Sequence, residues 1–154
     1  MNIFILDTNI RKCAQYHCDK HVIKMILETA QILCTVCNCN GIKTPYRSTH
    51  VNHPCVLWAG ESIQNWRWLR KLARCLNEEF CYRYKRDKNH AAYDVIAALS
   101  EPPLVNAELT PFVQVMPDQY KISHDPVTAY RNYYIGLKKS FATWTRRRKP
   151  KWFQ

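Results

Sequence analysis

Apolar positions recur at helical spacing along most of this chain. Val22, Met25, Ile26, Thr29, Ile32, Leu33 and Val36 form the inner face of a helix predicted from about Arg11 to Cys37, with Thr8 or Asn9 as its cap. A short apolar stretch, Asn2 to Leu6, precedes it and ends in the turn-like Asp7-Thr8-Asn9. Trp58, Trp66, Leu69, Leu72, Ala73, Leu76 and Phe80 turn inward on a second helix from about Cys55 to Tyr84, while Arg67, Arg70, Lys71 and Arg74 stay outside. A shorter helix is predicted from about Ala91 to Leu99. The last runs from about Pro126 to Thr145, with Asp125 as N-cap and Pro126 in the first helical position. The stretches 38–54 and 102–126 are loops by their Asn, Gly, Pro and Ser content. The fold class expected is all-α: a compact single-domain bundle over residues 1–154, with about three main helices and long loops.

Composition narrows the class without naming a chemistry. The 47 % hydrophobic and 23 % charged fractions exclude a disordered chain. With only three glycines there is no P-loop and no GxGxxG motif. No apolar run reads as a membrane span and Met1 to Leu6 is too short for a secretory signal, so no membrane partner is expected. Eight cysteines in a chain of 154 residues, large enough to bury a core, are expected as reduced thiols in a cytoplasmic compartment, or in the nucleus of a eukaryotic host. Cys34-x-x-Cys37-x-Cys39 is the one zinc-like cluster, but no second Cys/His pair follows at finger spacing.

Charge changes the picture more. The net charge is +11, and after Asp125 there is no acidic residue, while Arg131, Lys138, Lys139, Arg146, Arg147, Arg148, Lys149 and Lys151 add eight cations. Aromatic residues interleave them (Tyr130, Tyr133, Tyr134, Phe141, Trp144, Trp152), a mixture that suits nucleic acid. Residues 146–154 read as a basic tail, either a phosphate clamp or a solvated end.

On the first long helix, His17, His21, Lys24, Glu28 and Gln31 are spaced by four, three, four and three residues, which places them on one stripe. Such a stripe can move protons and bear a cationic intermediate; it can equally be a solvated face with a Lys24–Glu28 pair. His17 and His21 lack the third ligand of a metal site, so no metal is expected. Tyr46, Arg47, His50 and His53 lie in the loop before the second helix, where a histidine can meet phosphate or cap the helix. Asp118 reads as a turn residue.

Asp19-Lys20-His21 with Glu28 seven residues beyond the histidine resembles the pyrimidine-dimer DNA glycosylase family, the phage endonuclease V type. Leu57-Trp58-Ala59-Gly60 is similar to that family's Leu-Gly-Ala-Gly, and the basic, Leu-rich stretch from Trp68 to Phe80 follows in order. Ala129-Tyr130-Arg131-Asn132-Tyr133-Tyr134-Ile135-Gly136 resembles its Trp-Tyr-Lys-Tyr-Tyr-Gly-Lys run. Residues 85–124 have no counterpart and read as a loop-rich insertion.

The resemblance implies a phage- or virus-like repair glycosylase with abasic-site lyase activity, acting on double-stranded DNA as a monomer, without cofactor or metal. The alternative is a non-catalytic nucleic-acid-binding module of the same fold. In the family the α-amine of the first residue attacks C1′ and forms an imine, assisted by a glutamate. An α-amine titrates near 8 and a lysine near 10.4, so the former is the better nucleophile at neutral pH. The resemblance assigns catalysis to Met1, kept because Asn2 is bulky, with Glu28 and His21. It assigns DNA contacts to Lys24, Gln31, Arg47, His53, Arg131, Tyr133, Tyr134 and Lys138, with Lys24 as the alternative imine-forming amine. Leu27 and Gln31 stand where the family has arginines that grip the lesion strand, which opens the substrate to pyrimidine dimers or another damaged or modified base.

Overall fold

A computed structural model describes residues 1–154, and it is all helical, without strands. Six α-helices form: α1 (Ile10–Tyr16), α2 (Asp19–Cys39), α3 (Pro54–Glu61), α4 (Ile63–Tyr84), α5 (Ala91–Ala98) and α6 (Pro126–Lys138), with one 3₁₀ turn at Asp118–Tyr120. Helix α2 is central and packs on α3, α4 and α5, while α1 lies against α4. The predicted inner face of α2 is buried as expected, from Val22 to Val36. Contrary to expectation, α2 is long and apolar enough to cross a membrane, because its core-facing Ile, Leu, Val and Cys residues make it so; most of it is buried inside the protein.

Each of the two long predicted helices is split. The first breaks at His17-Cys18, whose backbones are extended. Neither Pro nor Gly marks the break; the cause is Arg83, whose side chain is wholly buried and reaches in from α4. Its Nη1 donates to the His17 carbonyl at 2.8 Å and its Nη2 to the Gln15 carbonyl at 2.9 Å, satisfying oxygens that a continuous helix would have bonded itself. His17 therefore leaves the α2 stripe. It is buried, donating from Nδ1 to the Cys13 carbonyl at 2.8 Å, and burial lowers its pKa to about 4. The second split is at Ser62, extended in backbone, whose Oγ accepts from the Asn65 N–H at 3.1 Å and caps α4.

The last helix is also shorter than predicted. Asp125 caps it through Thr128 N–H, as expected, but the helix ends at Lys138. The chain then turns so that the Thr143 carbonyl accepts from Asp19 N–H at 2.8 Å. The basic tail is folded against the body: Trp144 and Phe153 are buried, Trp144 Nε1 donates to the Tyr16 carbonyl, and Arg147 pairs with Glu79 at 2.6 Å. The segment 85–124 carries α5 and packs back through Leu99 and Met116, with Ile63 N–H donating to the Val105 carbonyl. Asp118 is exposed and pairs with Lys121.

All eight cysteines are free thiols and six are buried. Burial pushes the Cys13 and Cys55 thiols up to about 12, so they pack as small hydrophobes. Cys34 and Cys37 belong to the core while Cys39 is exposed, and no three His, Cys, Asp or Glu side chains converge as metal ligands.

Candidate active site

The extended stretch Met1–Leu6 threads into the core and buries Ile3, Phe4, Ile5 and Leu6. Asn2 anchors its start. Its Nδ2 donates to the Val115 carbonyl at 2.8 Å, its Oδ1 accepts from the Tyr130 hydroxyl at 3.0 Å, and its backbone N–H donates to Glu28 Oε2 at 3.0 Å. The Met1 side chain is 5 % exposed and its α-amine lies 3.9 Å from the same Glu28 oxygen. Glu28 Oε1 pairs with Lys24 Nζ at 3.2 Å. One buried carboxylate therefore faces an α-amine, a backbone N–H and a lysine.

These groups open onto a cavity of about 160 Å³, walled by Met1, Asn2, Phe4, His21, Lys24, Met25, Glu28, Tyr133 and Lys138. Helix α2 supplies His21, Lys24 and Glu28 at the predicted spacing; α6 closes the other side with Tyr133 and Lys138, whose Nζ sits 5.0 Å over the Tyr133 ring. Wider clefts of about 530 Å³ lie along α4 and beside Leu27, but none of them holds a buried carboxylate. Carboxylate, amine and two cations in one small cavity can hold an anion and relay a proton.

A family model described as pyrimidine dimer DNA glycosylase matches residues 1–92. The chain belongs to that family. Membership carries DNA glycosylase activity with DNA as substrate. No curated protein and no solved structure matches the chain significantly. The matched span contains Met1, His21, Lys24 and Glu28 but ends before α6, so the wall formed by Tyr133 and Lys138 is this glycosylase's contribution from outside it.

The remaining predicted DNA contacts divide. Lys24 is exposed at the cavity rim, and Gln31 and Arg47 meet in the neighbouring open cleft with Tyr46 and Leu27. His53 caps α3, its Nδ1 accepting from Cys55 N–H at 3.1 Å; burial is the main cause lowering its pKa, followed by the nearby Met1 amine. Two of the expected contacts are not formed as expected. Tyr134 has no exposed surface and cannot touch a nucleic acid; its hydroxyl is 2.6 Å from His21 Nδ1. Arg131 is spent on the protein itself: Nε donates to the Leu6 carbonyl at 2.8 Å, Nη2 pairs with Asp7 at 3.0 Å, and the guanidinium lies over Tyr16 and Trp152. Both contacts were implied by the family resemblance, which does not say which way the helix faces; the buried residues of α6 are Ala129, Tyr130 and Tyr134. Asn2, Phe4 and Met25 were missed, since no motif marks a residue whose role is to shape a wall.

Proposed function

We propose that this DNA glycosylase is also an abasic-site lyase whose nucleophile is the α-amine of Met1, with Glu28 as its proton acceptor. The 3.9 Å approach of that amine to a buried carboxylate is the observation that carries the reading. The amine lone pair attacks C1′ of a damaged pyrimidine nucleotide in duplex DNA, and the glycosidic electron pair leaves with the base, which takes up a proton. The substituted amine gives a proton to Glu28, its lone pair opens the C1′–O4′ bond, and Glu28 hands that proton to O4′, which becomes a hydroxyl. The resulting iminium acidifies C2′; loss of a C2′ proton expels the 3′ phosphate by β-elimination, and water then hydrolyses the imine. C1′ is shielded in a stacked duplex, so the target nucleotide or its partner must leave the stack. Lys24, already paired with Glu28 and 65 % exposed, is assigned to phosphate rather than to the imine.

Borohydride trapping on a duplex with one abasic site tests this reading. The expected product is one covalent adduct mapped to the amine of residue 1, on a chain whose intact mass shows Met1 present, with Lys24→Arg trapping within a few-fold of wild type. An adduct on Lys24, or none, refutes the assignment. The cations also set a salt dependence. Lys138→Ala is expected to reduce the slope of log affinity against log salt by about 1, uniformly across sequences. An unchanged slope removes Lys138 from the phosphate contacts.

A further inference from the structure

His21 and Tyr134 form one unit behind the cavity. His21 is the third residue of α2 and 5 % exposed, its ring stacked on Phe4 at 4.6 Å and met edge-on by Phe141 and Tyr134. The Tyr134 oxygen accepts from Cys18 N–H at 3.3 Å, so its own proton is available for His21 Nδ1, 2.6 Å away; the Cys18 thiol at 3.8 Å is the weaker competitor. Burial holds the Tyr134 phenol protonated, well above its ordinary range. A ring that accepts at Nδ1 carries its proton on Nε2; this nitrogen forms no hydrogen bond within the protein and, unlike the closed-off His17 Nε2, keeps accessible surface. The ring is part of the cavity wall shared with Lys24, Glu28 and Lys138.

We propose that Tyr134 fixes His21 as a neutral Nε2–H donor aimed into the cavity, where it grips an uncharged oxygen of the bound deoxyribose. His21 is then a catalytic residue and Tyr134 its positioning residue. The inference rests on the glycosylase–lyase reading above, and division of labour supports it: Lys24 and Lys138 are the cations for phosphate, while a neutral donor suits a neutral sugar oxygen. The surroundings oppose an imidazolium. Burial comes first and takes the pKa to about 3, helped by His17 at the end of α1, Lys138 on α6 and Lys24 on the same helix. The first turn of α2 adds its own positive end, and the Met1 amine lies across the cavity, with Glu28 the one opposing charge.

Long-range ¹H–¹⁵N spectra of the His21 imidazole test the tautomer in the intact protein. One protonated nitrogen, Nε2, is expected without change from about pH 8 to about pH 5. A protonated Nδ1 or an imidazolium in that range overturns the proposal. Tyr134→Phe keeps the buried ring and removes only the hydroxyl. It is expected to give a mixture of tautomers and an imine-trapping rate lower by about ten-fold or more, with duplex affinity held within about two-fold. His21→Gln, which retains an N–H donor, is expected to trap faster than His21→Ala. A wild-type rate in Tyr134→Phe refutes the positioning role. If wild-type protein traps no imine, the lyase reading fails, while the spectrum still decides the tautomer.

Discussion

Glu28→Gln is expected to abolish turnover while leaving duplex binding intact. The substitution is nearly isosteric, and the glutamine carbonyl can still accept from Asn2 N–H, so the start of the chain stays anchored where the wild-type carboxylate holds it at 3.0 Å. What disappears is a proton acceptor 3.9 Å from the α-amine and the one negative charge among Met1, Lys24 and Lys138. An amine that attacks C1′ must shed protons, and the iminium that follows is cationic; both steps lose their partner. Positioned general-base catalysis accounts for about 10²–10⁴-fold in rate, and loss of the iminium's counter-charge adds to that. Single-turnover trapping on an abasic duplex measures the effect, with fluorescence anisotropy on the same DNA as the control. Binding has reason to tighten slightly, since a carboxylate repels phosphate. A trapping rate within ten-fold of wild type would remove Glu28 from the chemistry. Lost binding would instead make it part of the DNA-contacting frame.

The parts of this molecule that could be read from its sequence are those governed by local pattern. Period-3.6 burial gave the helical class and the inner faces of α2 and α4, and Asp125-Pro126 marked the start of α6 correctly because cap and first-turn chemistry are local. The break before α2 is not local. It is imposed by Arg83, distant in sequence, and no Gly or Pro announces it. Ser62 was a legible cap, three residues before the Asn65 N–H it accepts, hidden by an otherwise continuous apolar pattern. At the site, spacing placed His21, Lys24 and Glu28 on one cavity wall, while His17 was lost to the break. Tyr134 and Arg131 show the limit from the other side. The family resemblance implies DNA contacts for both, but which way α6 faces is decided by packing on Phe4, His21 and the stretch Met1–Leu6.

Asp19→Asn is expected to be among the most destabilising single substitutions, by roughly 3 kcal/mol, because it uncouples a buried charge relay. Asp19 accepts from Arg83 at 3.0 Å, from the Thr143 hydroxyl at 2.9 Å, and from the Thr145 N–H and hydroxyl at 2.9 and 2.8 Å. Arg83 continues to Glu79 at 2.9 Å and Glu79 to Arg147 at 2.6 Å. The relay alternates in sign and balances; asparagine leaves it one positive charge in excess around a wholly buried guanidinium. It also loosens the turn that seats residues 143–147 on the start of α2, the turn that carries His21. For a chain of this size the cost corresponds to a drop in Tm of about 6–12 °C. The pH dependence separates this cause from simple loss of packing. Burial alone would raise the Asp19 pKa, but the hydrogen bonds from Thr145, Thr143 and Arg83 outweigh it and hold the group below its ordinary 3.8. A depressed carboxylate stabilises fully above its unfolded value and loses that contribution as pH falls through the folded one. His17 and His21 act earlier and in both proteins. Burial lowers them to about 4 and about 3, so the unfolded chain takes up their protons first and stability declines as pH falls below 6.5. Urea unfolding across pH should therefore show wild type and Asp19→Asn declining in parallel from about pH 7 to about pH 5, then converging below 3.8, where Asp19 of the unfolded chain takes up a proton before the folded one does. A gap that stays constant down to the lowest pH would assign the loss to packing and not to the charge of Asp19.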